Sequence, residues 1–157
     1  MAVNVDIIER VRTLPDRVAA EIEGLSEEAL RRRPAEGDWS LKEVCGHLRD
    51  DSEVWRRRLN LMITETDPVL PSYDQEALVR EGQYQDADIG TVLADFKRLR
   101  LEMVELLSGL EPEGWKRTGQ HPNWGRVRVR QGIAMMIRHT EEHLEQVREL
   151  RAKAAGA

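Results

Sequence analysis

The sequence is poor in cysteine and in long apolar runs. Cys45 is the single cysteine among 157 residues, so no disulfide can form within the chain. No segment has the roughly 20 apolar residues needed to cross a membrane, and none resembles a secretory signal peptide. We therefore expect a protein of the reducing cytoplasm that does not insert into membranes.

The sequence also has no strongly basic segment. Its 24 Lys and Arg residues and 29 Asp and Glu residues are mixed along the chain, and the formal net charge is −5. A nucleic-acid-binding protein needs a dense basic face, so we expect no nucleic-acid partner. The length is close to that of one typical domain, and residues 1–157 are predicted to form a single domain.

Apolar residues recur at spacings of three and four in four long stretches, which is the pattern of amphipathic helices. Pro15 interrupts the first stretch and predicts either a kink or a new helix start at Thr13 or Leu14. Shorter helices are predicted after Ser26 and over 73–80. The four long stretches are 3–25, 37–63, 89–110 and 127–150.

The segments between these helices set the fold class. Residues 64–90 form a long connection, and residues 111–126 are loop-like because they are rich in Pro and Gly. No strand pattern competes with the helices. The prediction is an all-α four-helix bundle with a long crossover between its second and third long helices, so those two helices need not be antiparallel neighbours.

The start of the second long helix is well specified. Ser40 and Glu43 have the spacing of a capping box, and Trp39 can pack onto Val44 one turn into the helix. Cys45 falls on the apolar stripe of this helix, which favours a small buried hydrophobe over a nucleophile.

Three histidines are candidate metal ligands. His139 and His143 are four residues apart on the last helix, so their side chains point within about 40° of each other at the edge of its apolar stripe. His47 is displaced from the stripe of its own helix in the same rotational sense. If the two helices are antiparallel, all three imidazoles converge and leave coordination positions open, as in catalytic metal sites.

Other residues near these histidines have several possible roles. Asp51 has three candidate roles: a fourth metal ligand, a hydrogen-bond acceptor for an imidazole, or a surface charge. Gln146 has two, to orient a bound water or to pack against a neighbouring helix. Arg58 either attracts an anionic substrate or is solvated, and His121 is structural, exposed or a cap on the site. The run 139–143 also fits the H-x-x-E-H zinc-peptidase pattern, with Glu142 as base. Only fourteen residues follow it, which argues against a peptidase and leaves Glu142 an outside candidate.

Two motifs resemble those of a known family. The run from Trp39 to Leu48 is similar to the W-S-x-x-E-V-x-x-H-L signature of the DinB-like (DinB/YfiT) superfamily, and His139, His143 and Gln146 resemble its closing H-x-x-x-H-x-x-Q pattern. The resemblance implies a four-helix bundle of up-down-down-up topology and, commonly, a homodimer. It also implies that His47, His139 and His143 bind a divalent metal, usually nickel or zinc.

Three functions remain open. The resemblance favours a metal-dependent enzyme that transfers a low-molecular-weight thiol, as cosubstrate, onto a small-molecule substrate. A metal-dependent hydrolase, with Asp51 or Glu142 as base, is the first alternative. A non-enzymatic stress-response or interaction protein is the second, and a substrate-sized pocket beside the histidines would count against it.

Overall fold

The chain folds into four long helices connected by shorter elements. The computed structural model describes residues 2–155. In chain order the elements are α1 Ala2–Ile22, α2 Glu27–Arg31, α3 Leu41–Thr64, α4 Gln75–Gly82, a 3₁₀ turn Tyr84–Asp86, α5 Ile89–Ser108, a 3₁₀ turn Gly114–Lys116, β1 Thr118–His121, β2 Gly125–Arg128 and α6 Val129–Ala155.

Helix α1 continues through Pro15, so the predicted restart at Thr13 or Leu14 is wrong. Proline removes one backbone donor from the helix. Leu14 and Val18 on either side of it are buried against the bundle, with exposed fractions of 1% and 0%. This packing keeps the segment helical in spite of the missing hydrogen bond.

Side-chain contacts between the long helices give their relative directions. Between α1 and α6, and between α3 and α5, the residue numbers of successive contacts increase on both helices. Each of these pairs is therefore parallel. Helix α3 meets α6 in the opposite order and is antiparallel to it. The contacts are Arg10–Glu141 and Glu21–Arg148 for the first pair, Arg49–Asp95 and Arg56–Glu102 for the second, and His47–His139 and Trp55–Gly132 for the third. This is the up-down-down-up topology, and the long crossover between α3 and α5 makes it possible.

A buried cation links three helices in the core. Arg100 of α5 is fully buried, and its Nε donates to Ser52 Oγ at 2.8 Å. Its Nη2 donates to Thr140 Oγ1 at 2.7 Å. Ser52 belongs to α3 and Thr140 to α6, one residue after Asp51 and His139 respectively. Arg100 therefore fixes the separation of the two helices that carry the histidines.

Two short strands were not expected from the sequence. β1 and β2 pair antiparallel, and the main chain of Gln120 also bonds the crossover, accepting from Leu70 N at 2.8 Å and donating to Pro68 O at 2.7 Å. The Asp67 carboxylate accepts a hydrogen bond from the side-chain amide of Gln120. Strands of four residues are too short to show a two-residue apolar period. Their pairing with the crossover holds both segments beside the bundle.

Candidate metal centre and adjoining pocket

The start of α3 is fixed by side chains around the predicted capping box. Ser40 Oγ accepts from Glu43 N at 3.2 Å, and Glu43 Oε1 accepts from Ser40 N at 3.1 Å. Arg33 donates to the same carboxylate at 2.7 Å. His47 follows two turns later on a helix whose position is therefore well determined, and its side chain is fully buried.

The structure brings the three candidate histidines together. His47 Nε2 lies 2.9 Å from His139 Nε2. One ring nitrogen from each of His47, His139 and His143 lies within 4.8 Å of the others, and this is the single cluster of metal-binding side chains found in residues 2–155. Two nitrogens that bind one ion at about 2.0–2.1 Å lie about 3 Å apart, so the spacing fits a shared divalent metal. Metal binding by these residues stays a prediction.

Neighbouring side chains orient two of the three imidazoles. His143 Nδ1 is 2.7 Å from Gln146 Oε1, and because this oxygen only accepts, Nδ1 carries the proton and Nε2 keeps its lone pair. The Trp39 ring covers His47 at 5.0 Å between ring centroids. His47 Nδ1 is buried and has no partner among the described residues.

The charge state of the cluster follows from its burial. Burial, followed by the charges of His143 and His139, lowers the pKa of His47 to about 3. Burial also lowers the pKa of His143, although the hydrogen bond to Gln146 opposes this. Both imidazoles are neutral near pH 7, which is the form that a metal requires.

A pocket of about 320 Å³ adjoins the histidines. His139 belongs to both the cluster and the pocket wall. The rest of the wall comes from α3, the crossover, the β-hairpin and α6, and it is mainly aromatic and polar. It includes Asp51, Trp55, Arg58, Tyr73, His121, Asn123, Trp124 and Met135. A cleft of this volume is large enough for a small molecule.

Asp51 lies in this pocket but outside the histidine cluster. Its side chain is 3% exposed, which excludes the surface-charge interpretation. Its Oδ1 accepts from the Tyr73 hydroxyl at 2.7 Å, and no imidazole is its hydrogen-bond partner among the described residues. Asp51 is therefore a buried carboxylate of the pocket wall.

Arg58 and His121 are buried, so the interpretations of a solvated arginine and an exposed histidine are wrong. Arg58 is 2% exposed and His121 6% exposed, and both line the pocket. Glu142 is exposed and lies outside the cluster. Cys45 is buried, and burial raises its pKa to about 12, so it is not a nucleophile.

Sequence reasoning missed the walls contributed by the crossover and the hairpin. Tyr73 and Asn123 line the pocket. The short helix predicted over 73–80 begins at Gln75, so Tyr73 lies before it, and Asn123 lies in the hairpin turn; neither has a helical register that could have placed it. Trp124 is 50% exposed and stacks on His121 with ring centroids 3.7 Å apart. The sequence HPNWG around it indicated a turn but not the element that this turn would contact.

No helix among the described residues has the length and apolar character that crossing a membrane requires. A protein of Bacillus subtilis, YfiT, has a similar solved structure, with a TM-score of 0.90 over 97% of this chain and 87% of that chain at 22% identity. TT2238, described as a four-helix bundle protein, matches with a TM-score of 0.67 at 17% identity over 93% of this chain and 98% of that chain. These similarities confirm the four-helix bundle.

Sequence comparison gives relatives over most of the chain. A protein of Halalkalibacterium halodurans is 27% identical over 142 residues, which cover 90% of this chain and 82% of the relative. One of Oceanobacillus iheyensis is 28% identical over 143 residues, covering 91% and 83%. Both carry the name "Putative metal-dependent hydrolase". The profile of the DinB superfamily matches residues 10–147, and the chain belongs to this superfamily.

Proposed function

We propose that this protein is a divalent-metal-dependent enzyme. The observation that carries the proposal is the position of His139, which belongs to a cluster of three imidazoles and also lines a pocket of about 320 Å³. A reactant in this pocket would lie next to a metal held by His47, His139 and His143. The pocket also argues against a non-enzymatic protein, for which a closed, fully coordinated site is expected.

His47, His139 and His143 would hold a divalent ion, nickel or zinc by the resemblance to the superfamily, and such an ion would lower the pKa of a bound thiol or water. Two other side chains position the histidines. Gln146 keeps the His143 lone pair directed at the cluster. Trp39 packs over His47 and limits the access of water from that side.

We infer that the reaction is the transfer of a low-molecular-weight thiol to an electrophilic carbon. The pocket supplies a buried cation, Arg58, that can bind an anionic group of the substrate that receives the thiol. Thiol chemistry also needs no dedicated general base once the sulfur has lost its proton. That proton passes to solvent, so thiol transfer does not depend on Asp51.

Hydrolysis is the second candidate, and the buried Asp51 carboxylate is the observation that favours it. Asp51 lies in the pocket wall, where it could accept a proton from an attacking water. The names of the two relatives suggest the same class of reaction. Glu142 is too exposed for this role.

The first experiment tests thiol transfer. Metal-loaded and metal-free protein are each incubated with bacillithiol, mycothiol, glutathione or cysteine and with a chloroarene or an epoxide. We expect metal-dependent conjugate formation with at least one thiol, and its loss in His143→Ala. Equal rates for metal-loaded and metal-free protein with every thiol would refute the proposal.

A second experiment separates the two candidates. Aryl ester and amide hydrolysis is measured without thiol in the wild type and in Asp51→Asn, which is nearly isosteric but cannot accept a proton. Metal-dependent hydrolysis that falls about 10²–10⁴-fold in Asp51→Asn would favour hydrolysis over thiol transfer. Thiol transfer that persists in this variant would support the first candidate.

A further inference from the structure

Arg58 is a buried cation that forms no ion pair with the described residues, and the Asp51 carboxylate acts on its charge from a greater distance. Its side chain is 2% exposed, and no carboxylate of the described residues lies within 4.0 Å of its guanidinium nitrogens. Its Nε donates to Pro71 O at 2.8 Å. The guanidinium carbon lies 4.7 Å from the Trp55 ring centroid and 5.3 Å from that of Trp124. Aromatic rings compensate only part of the cost of burying a charge, so the site favours a further anion.

The protonation of His121 is determined by the hairpin turn. Its Nδ1 accepts from two backbone amides, Asn123 N at 3.1 Å and Trp124 N at 3.2 Å. Nδ1 therefore has no proton, and in the neutral imidazole the proton is on Nε2. Burial, followed by the charge of Arg58, lowers the pKa of His121, which favours the neutral ring.

The contact between these two side chains consequently joins two donors. Arg58 Nη2 lies 3.3 Å from His121 Nε2. A guanidinium cannot accept a hydrogen bond, and His121 Nε2–H has no free lone pair, so neither group satisfies the other. Both residues therefore have an N–H group without an acceptor at the wall of the pocket that they line, and an anionic oxygen in this pocket can supply one.

We propose that Arg58 and His121 together bind the carboxylate of an organic substrate. The aromatic rings of Trp55, Tyr73 and Trp124 line the space around this pair, so the carboxylate belongs to a molecule with an apolar or aromatic body. This assignment rests on the proposed function only in identifying the pocket as the substrate site.

The position of the pair orients the substrate. Arg58 lies eleven residues after His47 on α3, which is about 16 Å along the helix axis. Asp51 lies between them and, as a carboxylate, repels an anion from the middle of the pocket. The carboxylate is therefore bound at the Trp124 end, and the opposite end of the substrate reaches His139 and the histidine cluster.

The test uses calorimetric titration of the full-length, metal-loaded protein with 3-phenylpropionate and with the uncharged 3-phenylpropionamide. The two probes share an aromatic body and differ in the anionic oxygen. We expect the acid to bind about ten- to a hundredfold more tightly than the amide, because the amide has no negative charge and replaces one acceptor oxygen with a donor NH2 group.

Two variants remove the donors one at a time. Arg58→Met keeps most of the side-chain volume and removes the guanidinium. His121→Asn keeps an oxygen in place of Nδ1 for the two backbone amides and removes the Nε2–H group. Each is expected to reduce the preference for the acid at least about tenfold. Arg57→Met, which removes an exposed arginine one residue away on the same helix, is the matched control and should bind as the wild type does.

Titration of metal-free protein separates this proposal from the proposed function. If the carboxylate binds the Arg58–His121 pair, its affinity persists without metal and in His143→Ala. Binding of 3-phenylpropionate that requires metal and is unchanged in both Arg58→Met and His121→Asn would overturn the proposal. Equal affinities for the acid and the amide would also overturn it. A protein that binds the acid as expected but shows no metal-dependent turnover would refute only the proposed function.

Discussion

At the scale of single residues, the histidine cluster depends on one amide. Gln146 accepts from His143 Nδ1 at 2.7 Å and so fixes both the tautomer and the ring orientation of this ligand candidate. Removing such a partner allows the ring to rotate and to present either nitrogen to the site. Partners of this kind commonly contribute strongly to metal affinity.

We predict that Gln146→Leu lowers the affinity for Ni²⁺ and Zn²⁺ about ten- to a hundredfold. Gln146→Glu is the matched control, because its carboxylate still accepts from Nδ1 and should keep the affinity at or above that of the wild type. Calorimetric titration of metal-free protein measures both. Equal losses in the two variants would show that Gln146 acts through packing rather than through its acceptor.

Cys45 offers a second prediction at this scale. Its side chain is fully buried, and burial raises its pKa to about 12, so almost no thiolate exists in the folded protein at neutral pH. We expect no reaction with a chromogenic disulfide reagent in the native protein and one equivalent of thiol after unfolding in guanidinium chloride. Rapid labelling of native protein would contradict the assigned burial.

The roles of individual residues were predictable from the sequence only where a regular helix fixed them. His47, His139 and His143 could be placed because the angular offsets on two helices are set by the 3.6-residue period. Arg58 lies on the same kind of helix, but its burial depends on Pro71 of the crossover and on the hairpin. No local pattern specifies that contact, so the sequence could not distinguish it from a solvated arginine.

At the scale of elements, the position of α3 is fixed by contacts at its first turn and at Gly46. The capping box fixes its start, and Gly46 leaves room for the ring of Tyr84, which follows α4. The Tyr84 hydroxyl donates to the Asp50 carboxylate of α3. The segment between α3 and α5 is thus packed against the helix turn that carries His47.

We predict that Gly46→Ala destabilises the protein by about 1–3 kcal/mol, in spite of the higher helix propensity of alanine. A Cβ at this position would lie 2.1 Å from Tyr84 Cδ2, so the ring must move. Gly109→Ala is the control, since its nearest contact would be 3.8 Å away, and we expect a change within about 0.5 kcal/mol. Denaturant unfolding measures both.

The double variant Gly46→Ala/Tyr84→Ala tests the stated cause. Removing the ring removes the clash, so Gly46→Ala should cost little in a Tyr84→Ala background. Additive losses in the double variant would contradict the argument that Tyr84 is the obstacle.

The existence of the long helices was predictable, whereas the β-hairpin was not. The apolar stripes of the long helices repeat the 3.6-residue period over many turns. As a result, α3 and α5 begin and end close to the predicted residues. The hairpin is defined by pairing with Pro68 and Leu70, which are about 50 residues away in sequence. Its place is set by these long-range hydrogen bonds, and it contributes His121 and Trp124 to the pocket.

At the scale of the whole molecule, the topology brings the candidate ligands into one site. Because α3 and α6 are antiparallel, a histidine near the start of one helix meets two histidines of the other, and Arg100 of α5 holds the pair together through Ser52 and Thr140. The crossover that permits this arrangement also forms one wall of the pocket. The histidine cluster and the adjoining pocket therefore have the same structural origin.

The most direct test of the account is the metal content of the protein purified without an affinity tag and without added metal. Elemental analysis is expected to find about one divalent ion per chain in the wild type and far less in His143→Ala, which loses one of three ligands. Titration with Ni²⁺ or Zn²⁺ should raise the unfolding temperature of the wild type more than that of the variant. Equal metal content in the two proteins would contradict the assignment of His47, His139 and His143 as the metal site.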